Sequence, residues 1–313
     1  MSRTMSSHAR HDAAVPAVHA RRVALLAAGL LAALTLLLGS ALAGPADTAH
    51  AAVPMAKPDK PGKPGGGSGG GGGGGTTELE YAALGDSFAA GVGAGSYIER
   101  TCYTSSKSYP KLLDGDADKA LVAFPACSGT DTVDVLDRQI AAIPTTAKLV
   151  TVTVGGNDVG FADVMQNCFV LVSSSCSSKI AAGAAIADSP EFTASIVAVV
   201  DGIQERAPGA KVIVAGYPLL FWENSSGVNP KYVWADEVND ETVELNDVVE
   251  AAATSAGAVF VDVEDDFAGH GIGSSSPWIN DWKWLTTTTV NAFHPNATGH
   301  AAYATAIRAV PLS

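Results

Sequence analysis

The sequence predicts an α/β domain with a parallel sheet over residues 77–313. Five short apolar runs of strand length alternate with longer segments that have helical periodicity or helix-start signals. Parallel strands need crossover helices, and these helices cover both faces of the sheet. We therefore expect a three-layer α/β/α sandwich with a five-stranded parallel sheet.

Each predicted element follows from its local pattern. The strands are apolar runs at 79–84, 120–124, 149–154, 211–215 and 258–263. The helices are expected at 109–113, 132–140, 191–206, 237–255 and 296–310. The fourth helix has valines at helical spacing within a run of acidic residues, so we assign its acidic side to solvent. Pro295 and Asn296 open the last helix, because both residue types are common at helix starts.

The first strand is followed at once by Gly-Asp-Ser at 85–87. A serine on a glycine-flanked turn between a strand and a helix exposes its hydroxyl near unpaired backbone N–H groups, which can stabilise an oxyanion. This is the setting of a nucleophile, and it points to Ser87. Asp and Ser are also common helix N-caps, so the motif by itself leaves a purely structural role open.

Two further motifs follow predicted strands, and a fourth lies near the C-terminus. Ala-Cys-Ser-Gly-Thr begins at Ala126, Gly-Gly-Asn-Asp begins at Gly155, and Phe-His-Pro-Asn begins at Phe293. The carboxyl ends of parallel strands share one edge of the sheet, which is where such folds bind ligands. The residues of the first three motifs are therefore expected to converge although they are far apart in sequence.

The four motifs together resemble those of the SGNH hydrolases, also called GDSL esterases or lipases, over about residues 79–310. The resemblance implies the flavodoxin-like fold of that family and hydrolysis of carboxylic esters with no cofactor and no metal. By this resemblance Ser87 is the nucleophile and His294 is the base. The oxyanion hole would consist of the backbone N–H groups of Ser87 and Gly129 and the side-chain amide of Asn157.

The position of His294 also favours it as the base. Only three histidines follow residue 50, namely His270, His294 and His300. His294 lies on the loop before the last predicted helix, whereas His300 falls within that helix and His270 lies in a glycine-rich loop. We expect the other two histidines to be surface or structural residues.

One position departs from the family pattern. The family usually has an aspartate three residues before its catalytic histidine, and Asn291 stands there in this chain. An amide can orient the imidazole but supplies no charge to stabilise its cation. We expect a serine–histidine dyad in which a backbone carbonyl of residues 278–291, or the Asn291 side chain, holds Nδ1 of His294. Two nearby acids, Asp265 and Asp281, stay open as alternatives.

The N-terminal region predicts export. An arginine pair precedes the uncharged apolar run 23–38, and the small residues at 39–43 form a cleavage pattern. We assign residues 1–43 to a signal peptide. A second cleavage pattern lies at 49–51, and an uncleaved membrane anchor is the alternative, because small and apolar residues continue beyond the run.

A linker separates the signal from the domain. Residues 44–76 contain a Pro/Lys-rich part and then a run of glycines, a composition typical of a disordered spacer. The catalytic domain is then 77–313. The chain has 32 acidic and 19 basic residues, a net charge of −13. This charge argues against binding to nucleic acid or to anionic membrane surfaces.

The four cysteines predict two disulfides. An even number in an exported chain favours bridges over a metal site or a reactive thiol, and three pairings are possible. We choose Cys102–Cys127 and Cys168–Cys176. Each of these pairs closes a loop on the expected active edge, and secreted actinobacterial members of the family have a similar layout.

The loop 277–285 gathers three of the five tryptophans shortly before His294. A segment of this composition either packs into the core or forms an apolar rim for an acyl chain. The sequence leaves both interpretations open.

The sequence as a whole predicts a secreted serine esterase or lipase that hydrolyses lipid or other acyl esters through an acyl-enzyme on Ser87. We expect an extracellular monomer, or alternatively a membrane-anchored protein facing outside. Its partner would be a small-molecule or lipid ester, with no nucleic acid and no obligate protein partner. Two other functions remain as alternatives, a carbohydrate acetylesterase with a polar pocket and a non-catalytic cell-envelope binding protein.

Overall fold

The structure is a computed structural model that describes residues 78–284 and 290–312. The predicted signal peptide at 1–43 and the whole predicted linker at 44–76 precede these residues and lie outside them. The five predicted strands are present and parallel. They are Leu79–Gly85 (β1), Lys119–Ala123 (β2), Leu149–Thr153 (β3), Lys211–Ala215 (β4) and Val259–Val261 (β5).

The strand order is β2-β1-β3-β4-β5. The chain moves from β1 to β2 on one side, then crosses to β3 on the other side of β1 and continues outward. Right-handed crossovers put the connections of these two directions on opposite faces of the sheet. This is the flavodoxin-like order, and its ligand crevice lies between the carboxyl ends of β1 and β3, where the direction reverses. The predicted fold class is confirmed.

Helices cover the sheet. The α-helices are Ser87–Ala90 (α1), Tyr109–Asp114 (α2), Thr132–Asp134 (α3), Phe161–Met165 (α4), Cys176–Ala187 (α5), Pro190–Arg206 (α6), Ala235–Ser255 (α7) and Ala297–Arg308 (α8). Helices α5, α6 and α7 pack against one another, and α2 packs against α8. Short π-helical turns continue α3 over Val135–Gln139 and α4 over Gln166–Val170.

The core explains why the strands are nearly continuous apolar runs. Every residue of β3 is buried, because helices cover both faces of the sheet. Helix α6 buries one side, formed by Phe192, Ile196, Val199, Val200 and Ile203. Among the described helices, none is by itself long and apolar enough to span a membrane. Helices α5 and α6 reach that length and apolarity only as a pair bent by 59°.

Besides the single turn α1, which follows the Gly-Asp-Ser motif, two helices have no counterpart among the predicted ones. Helix α4 has only five residues before it changes to a π-helical turn, which is too short for a periodic pattern. Helix α5 buries Cys176, Ile180, Gly183 and Ala187, so only one large aliphatic side chain marks its inner side. The predicted helix at 132–140 is correspondingly an α-helical start followed by a π-helical turn.

Candidate active site

The turn after β1 holds Ser87 at the carboxyl edge of the sheet. Gly85 has a φ of 120°, and a Cβ there would clash with the carbonyl oxygen of Thr153 on β3, so only glycine fits. Asp86 caps α1, because its Oδ1 accepts a hydrogen bond of 2.8 Å from the N–H of Phe88. Ser87 is the first residue of α1, so its own N–H needs no helical partner.

Ser87 and His294 are in direct contact although 207 residues separate them. Nε2 of His294 lies 2.7 Å from Oγ of Ser87, and Nδ1 lies 2.8 Å from the carbonyl oxygen of Ala292. A carbonyl oxygen only accepts, so Nδ1 carries the proton and donates to it. Nε2 is then the unprotonated nitrogen and accepts from the Ser87 hydroxyl. This is the tautomer that a general base needs.

The local backbone explains why the Ala292 carbonyl faces the imidazole. Phe293, between the two residues, has a φ of 61°, which is unusual for a residue other than glycine. Its ring packs against Phe169 and Phe221, at centroid distances of 5.5 and 6.4 Å. Such buried packing can hold a backbone in an unfavourable conformation at a functional site. The acceptor lies one residue beyond the predicted 278–291 range.

The Asn291 side chain does not hold the imidazole, and this corrects the suggestion that it could. Its Oδ1 instead accepts a 2.5 Å hydrogen bond from the hydroxyl of Tyr97, and that hydroxyl accepts from the N–H of Gly93. Neither alternative acid forms a hydrogen bond with His294 in the described part of the chain. Asp281 pairs with Lys231 and Tyr232.

Asp265 lies in a short 3₁₀ turn over Asp265–Phe267 and forms no hydrogen bond with His294 within the described part of the chain. No carboxylate therefore contacts the imidazole among these residues. The hydrogen-bond partner of Nδ1 is a main-chain carbonyl.

A cavity of about 430 Å³ lies over the Ser87 hydroxyl. Gly129, Asn157 and His294 line it together with Ser87, so the structure brings these four residues to one place. Nδ2 of Asn157 donates to the carbonyl of Thr130 at 2.8 Å, which fixes the amide and leaves its second N–H for another acceptor.

The backbone N–H groups of Ser87 and Gly129 have no hydrogen-bond partner within 78–284 and 290–312. Gly129 has a φ of 86°, and no atom lies within 4 Å of the position of a Cβ there. Two N–H groups and one amide thus remain available at the cavity. Such donors can stabilise the negative oxygen of a tetrahedral intermediate.

Burial sets the protonation of the two ionisable groups that flank Ser87. Desolvation lowers the pKa of His294 to about 4, and the hydrogen bond to the Ala292 carbonyl opposes this only in part. The imidazole is therefore neutral at pH 7 and can accept a proton. Desolvation raises the pKa of the Asp86 carboxyl to about 7, against the hydrogen bond from Tyr217, which lowers it.

Tyr217 links the first and third motifs, and the sequence analysis missed it. This buried residue follows β4, and its hydroxyl donates to Oδ2 of Asp86 at 2.6 Å. The same hydroxyl accepts from the N–H of Gly156 at 2.9 Å. A tyrosine after a strand carries no pattern that would have identified this role.

Gln139 and Asp158 connect the second motif to its neighbours. The Gln139 amide, which is buried, accepts from the Gly85 N–H at 2.7 Å and donates to the Gly85 carbonyl at 2.9 Å. It also donates to Thr130 Oγ1 at 3.2 Å. Asp158 accepts from the N–H and hydroxyl of Thr132. These hydrogen bonds hold the three strand-end turns in fixed relative positions.

The structure forms both disulfides in the pairing chosen from the sequence. Cys102 is bonded to Cys127 across 25 residues, and Cys168 to Cys176 across 8 residues. Cys127 belongs to the second motif, and its N–H donates to the carbonyl of Gly85. The first bridge therefore fixes the turn that carries Gly129.

The described tryptophans of the loop 277–285 lie away from the cavity. Trp278 packs into the core, with its ring stacked on His270 at 3.6 Å and edge-on to Phe267. Trp284 is 78% exposed. None of these residues is among those that line the cavity, and Leu285 lies outside the described residues. The acyl-rim interpretation of this loop therefore has no support in the described structure.

His300 is fully buried in α8, and its Nε2 faces the carbonyl of Val92 at 3.4 Å. Neither His300 nor His270 lines the cavity. Within the part of the chain that the structure describes, no group of three His, Cys, Asp or Glu side chains is arranged to hold a metal ion.

Known proteins are similar to this chain in sequence. The profile of the GDSL-like lipase/acylhydrolase family matches residues 83–302. Lipase 1 of Streptomyces coelicolor is 35% identical over 275 residues, which cover 87% of this chain and 93% of that protein. A lipase of Streptomyces rimosus is 38% identical over 227 residues, which cover 71% of this chain and 82% of that protein.

Solved structures share its fold. The crystal structure of the extracellular lipase from Streptomyces rimosus has a TM-score of 0.69 at 35% identity, covering 74% of this chain and 100% of that one. Phospholipase A1 from Streptomyces albidoflavus has a TM-score of 0.67 at 32% identity, covering 74% of this chain and 99% of that one. The profile spans more than half of the sequence, and the relatives are matched over most of their length. The chain therefore belongs to the GDSL-like lipase/acylhydrolase family and is a carboxylic ester hydrolase.

Proposed function

We propose that this protein is a secreted lipase or esterase that hydrolyses acyl esters through a covalent intermediate on Ser87. The observation that carries the proposal is the contact between Ser87 Oγ and Nε2 of His294 at 2.7 Å, with Nδ1 already committed to a carbonyl. A nucleophile in hydrogen-bond contact with a base, which is oriented by a third group, is the arrangement of covalent catalysis.

The proposed reaction has two halves. Nε2 of His294 takes the hydroxyl proton while Oγ of Ser87 attacks the ester carbonyl carbon, and the resulting oxyanion accepts hydrogen bonds from the three donors at the cavity. The C–O bond to the alcohol then breaks, and His294 gives its proton to the leaving alkoxide. In the second half His294 takes a proton from water while the water oxygen attacks the acyl carbon. The bond between that carbon and Oγ of Ser87 then breaks, His294 returns the proton to Oγ, and the carboxylic acid leaves.

The wall of the catalytic cavity supports an acyl substrate over an acetylated sugar. Apolar side chains of Phe161, Met165, Val170 and Val290 line it beside the reacting groups. Alkyl chains gain from such surfaces, whereas a sugar needs placed polar partners. The extracellular lipase among the relatives and the predicted export signal support secretion.

Hydrolysis of p-nitrophenyl esters of increasing chain length tests this proposal. The protein is expected to cleave them, and Ser87→Ala is expected to lose at least about 10³-fold in kcat. Ser128→Ala is the matched control, since Ser128 lines the same cavity but does not contact His294. Activity retained in Ser87→Ala would contradict the mechanism. Cleavage of acetyl esters only would favour the acetylesterase, and no cleavage at all would favour the binding protein.

A further inference from the structure

A second, smaller cavity lies behind the catalytic one. It has a volume of about 70 Å³ and lies among α4, α5, α7 and the segment after β4. Its lining is almost entirely apolar and includes Val164, Ile180, Ala184, Leu220, Val238 and Leu245. The hydrolysis steps at Ser87 use none of these side chains.

The two cavities share a wall. Phe161 and Met165 line both of them, and these residues are four apart on α4, so their side chains lie on one side of the helix. The Phe161 ring lies edge-on to the His294 imidazole, with centroids 6.1 Å apart. It also lies 6.1 Å from the Phe88 ring, which lines the second cavity. Among the described residues, these two side chains of α4 are the ones that line both the catalytic cavity and the second cavity.

The lining of the second cavity selects against polar ligands. Its polar side chains are Tyr217, Glu241 and Thr242. The Tyr217 hydroxyl is already bonded to Asp86 and to Gly156. Glu241 is half-buried, and burial raises the pKa of its carboxyl together with the negative charges of the neighbouring carboxylates. A sugar or a phosphate would find no arranged set of donors, whereas an alkyl chain needs none.

We infer that the second cavity binds the distal end of the substrate's acyl chain, with Phe161 and Met165 forming the passage to it. The inference rests on the proposed function, because the ester carbonyl must lie at Ser87 for the chain to point this way. The distal end of the acyl chain would then set the chain-length specificity of the protein. Chains too short to pass Phe161 would leave the second cavity unused.

The volume of the second cavity limits how many carbon atoms of the acyl chain it can bind. Its volume of about 70 Å³ is roughly half that of an engineered apolar cavity that binds benzene, so it accepts only a few carbon atoms. Each methylene that leaves water for an apolar site strengthens binding about fourfold. The ratio of kcat/KM for a decanoyl ester to that for a butyryl ester therefore reports whether the cavity is used.

Ala184→Phe tests the inference, because Ala184 lines the second cavity but not the catalytic one. Filling the cavity with a ring is expected to lower the decanoate-to-butyrate ratio of kcat/KM at least about tenfold. The matched control is Ala185→Phe, which adds the same ring to the adjacent, exposed position of α5 and lines neither cavity. The control is expected to keep the wild-type ratio.

A milder substitution keeps the test valid if Ala184→Phe misfolds, and a binding measurement keeps it valid if the protein does not hydrolyse the esters. Ala184→Leu is a milder filling at the same position and is expected to lower the ratio in the same direction. Binding of the fluorescent fatty acid cis-parinaric acid to the Ser87→Ala protein does not depend on turnover. Adding Ala184→Phe to that protein is expected to weaken this binding at least about tenfold, and adding Ala185→Phe is expected to leave it unchanged.

The outcomes separate the two proposals. If folded Ala184→Phe and Ala184→Leu proteins keep the wild-type ratio while wild-type protein hydrolyses both esters, the inferred chain site is wrong and the catalytic proposal stands. If wild-type protein hydrolyses neither ester, the proposed function fails. Even then, cis-parinaric acid binding that is lost on adding Ala184→Phe to the Ser87→Ala protein, but kept on adding Ala185→Phe, would assign an alkyl-chain site to this cavity.

Discussion

At the scale of single residues, the imidazole of His294 has to be neutral and correctly oriented to act as the base. The hydrogen bond to the Ala292 carbonyl orients the ring, and burial keeps it neutral by lowering its pKa. No carboxylate among the described residues is bonded to the ring. In the proposed mechanism this has a cost, because no carboxylate of the described residues would stabilise the imidazolium that forms when Ser87 attacks. The expected consequences concern pH and the Asn291 side chain.

The first prediction concerns the acid limb of the pH profile. Only neutral imidazole can take the Ser87 proton, so activity is present above the pKa of His294 and is lost as the pH falls through it. Because desolvation lowers that pKa to about 4, kcat/KM is expected to stay level down to about pH 5 and to halve near pH 4. A stopped assay of p-nitrophenyl butyrate hydrolysis measures this. An acid limb near pH 6.5 would show a solvated histidine instead.

The second prediction concerns Asn291, which stands where the family usually has an aspartate. Its Oδ1 accepts from Tyr97 and does not contact His294, so Asn291→Ala is expected to keep kcat within about tenfold, or about 1.4 kcal/mol of barrier. Asn291→Asp serves as the conservative control, since a carboxylate still accepts from the Tyr97 hydroxyl. A loss of 10³-fold in folded Asn291→Ala protein would make Asn291 a member of the catalytic set.

At the scale of elements, the site depends on how the turns after β1, β2 and β3 are tied together. Tyr217, from the segment after β4, contacts two of them at once through Asp86 and Gly156. Removing its hydroxyl leaves a buried carboxyl oxygen and a buried N–H without their partner. Such orphaned groups cost about 1–3 kcal/mol each.

The third prediction is that Tyr217→Phe lowers kcat more than it changes KM, because it loosens the turns that carry Ser87 and Asn157. The free energy of unfolding is also expected to fall, by about 2–6 kcal/mol, because two buried groups lose their partner. Tyr303→Phe is the matched control. Its buried hydroxyl donates to the carbonyl of Gly216, and Tyr303 does not line the catalytic cavity. Equal effects of the two variants on kcat would show that Tyr217 acts only through stability.

The elements also show which parts of the site could be predicted from sequence. The strands carry a local signal, namely apolar runs, and those of β1 and β3 lead directly into glycine-containing motifs. The shared edge of a parallel sheet then brings the motifs together. The remaining contacts of the site cannot be recognised from the local sequence. Tyr97 and Asn291 are 194 residues apart, and the Ala292 carbonyl is oriented by the unusual backbone of Phe293. Phe161 lies on a helix too short to be recognised.

At the scale of the whole molecule, two covalent links constrain the active edge. The Cys102–Cys127 bridge closes 25 residues and the Cys168–Cys176 bridge closes 8 residues. The even cysteine count and the export signal predicted bridges, but neither dictated the pairing. The order of the strands explains the Cys102–Cys127 pair, because the segment after β1 and the turn after β2 emerge at the same edge of the sheet.

The fourth prediction concerns these bridges. A crosslink stabilises mainly by restricting the unfolded chain, so the larger loop contributes more, about 3.5 kcal/mol for the first bridge and about 2.5 kcal/mol for the second. Denaturant unfolding of the Cys102→Ser/Cys127→Ser and Cys168→Ser/Cys176→Ser proteins is expected to show losses in that order. A larger loss for the shorter loop would mean that its removal disturbs native packing near α4.

Covalent labelling of the nucleophile is the most direct test of the proposed mechanism. A fluorophosphonate reacts with a serine only when a base activates the hydroxyl and an oxyanion site holds the phosphoryl oxygen. Peptide mass mapping of the labelled full chain is expected to find one adduct, on Ser87, and the Ser87→Ala protein is expected to remain unlabelled. An adduct on another serine, or equal labelling of the Ser87→Ala protein, would contradict the assignment of Ser87 as the nucleophile.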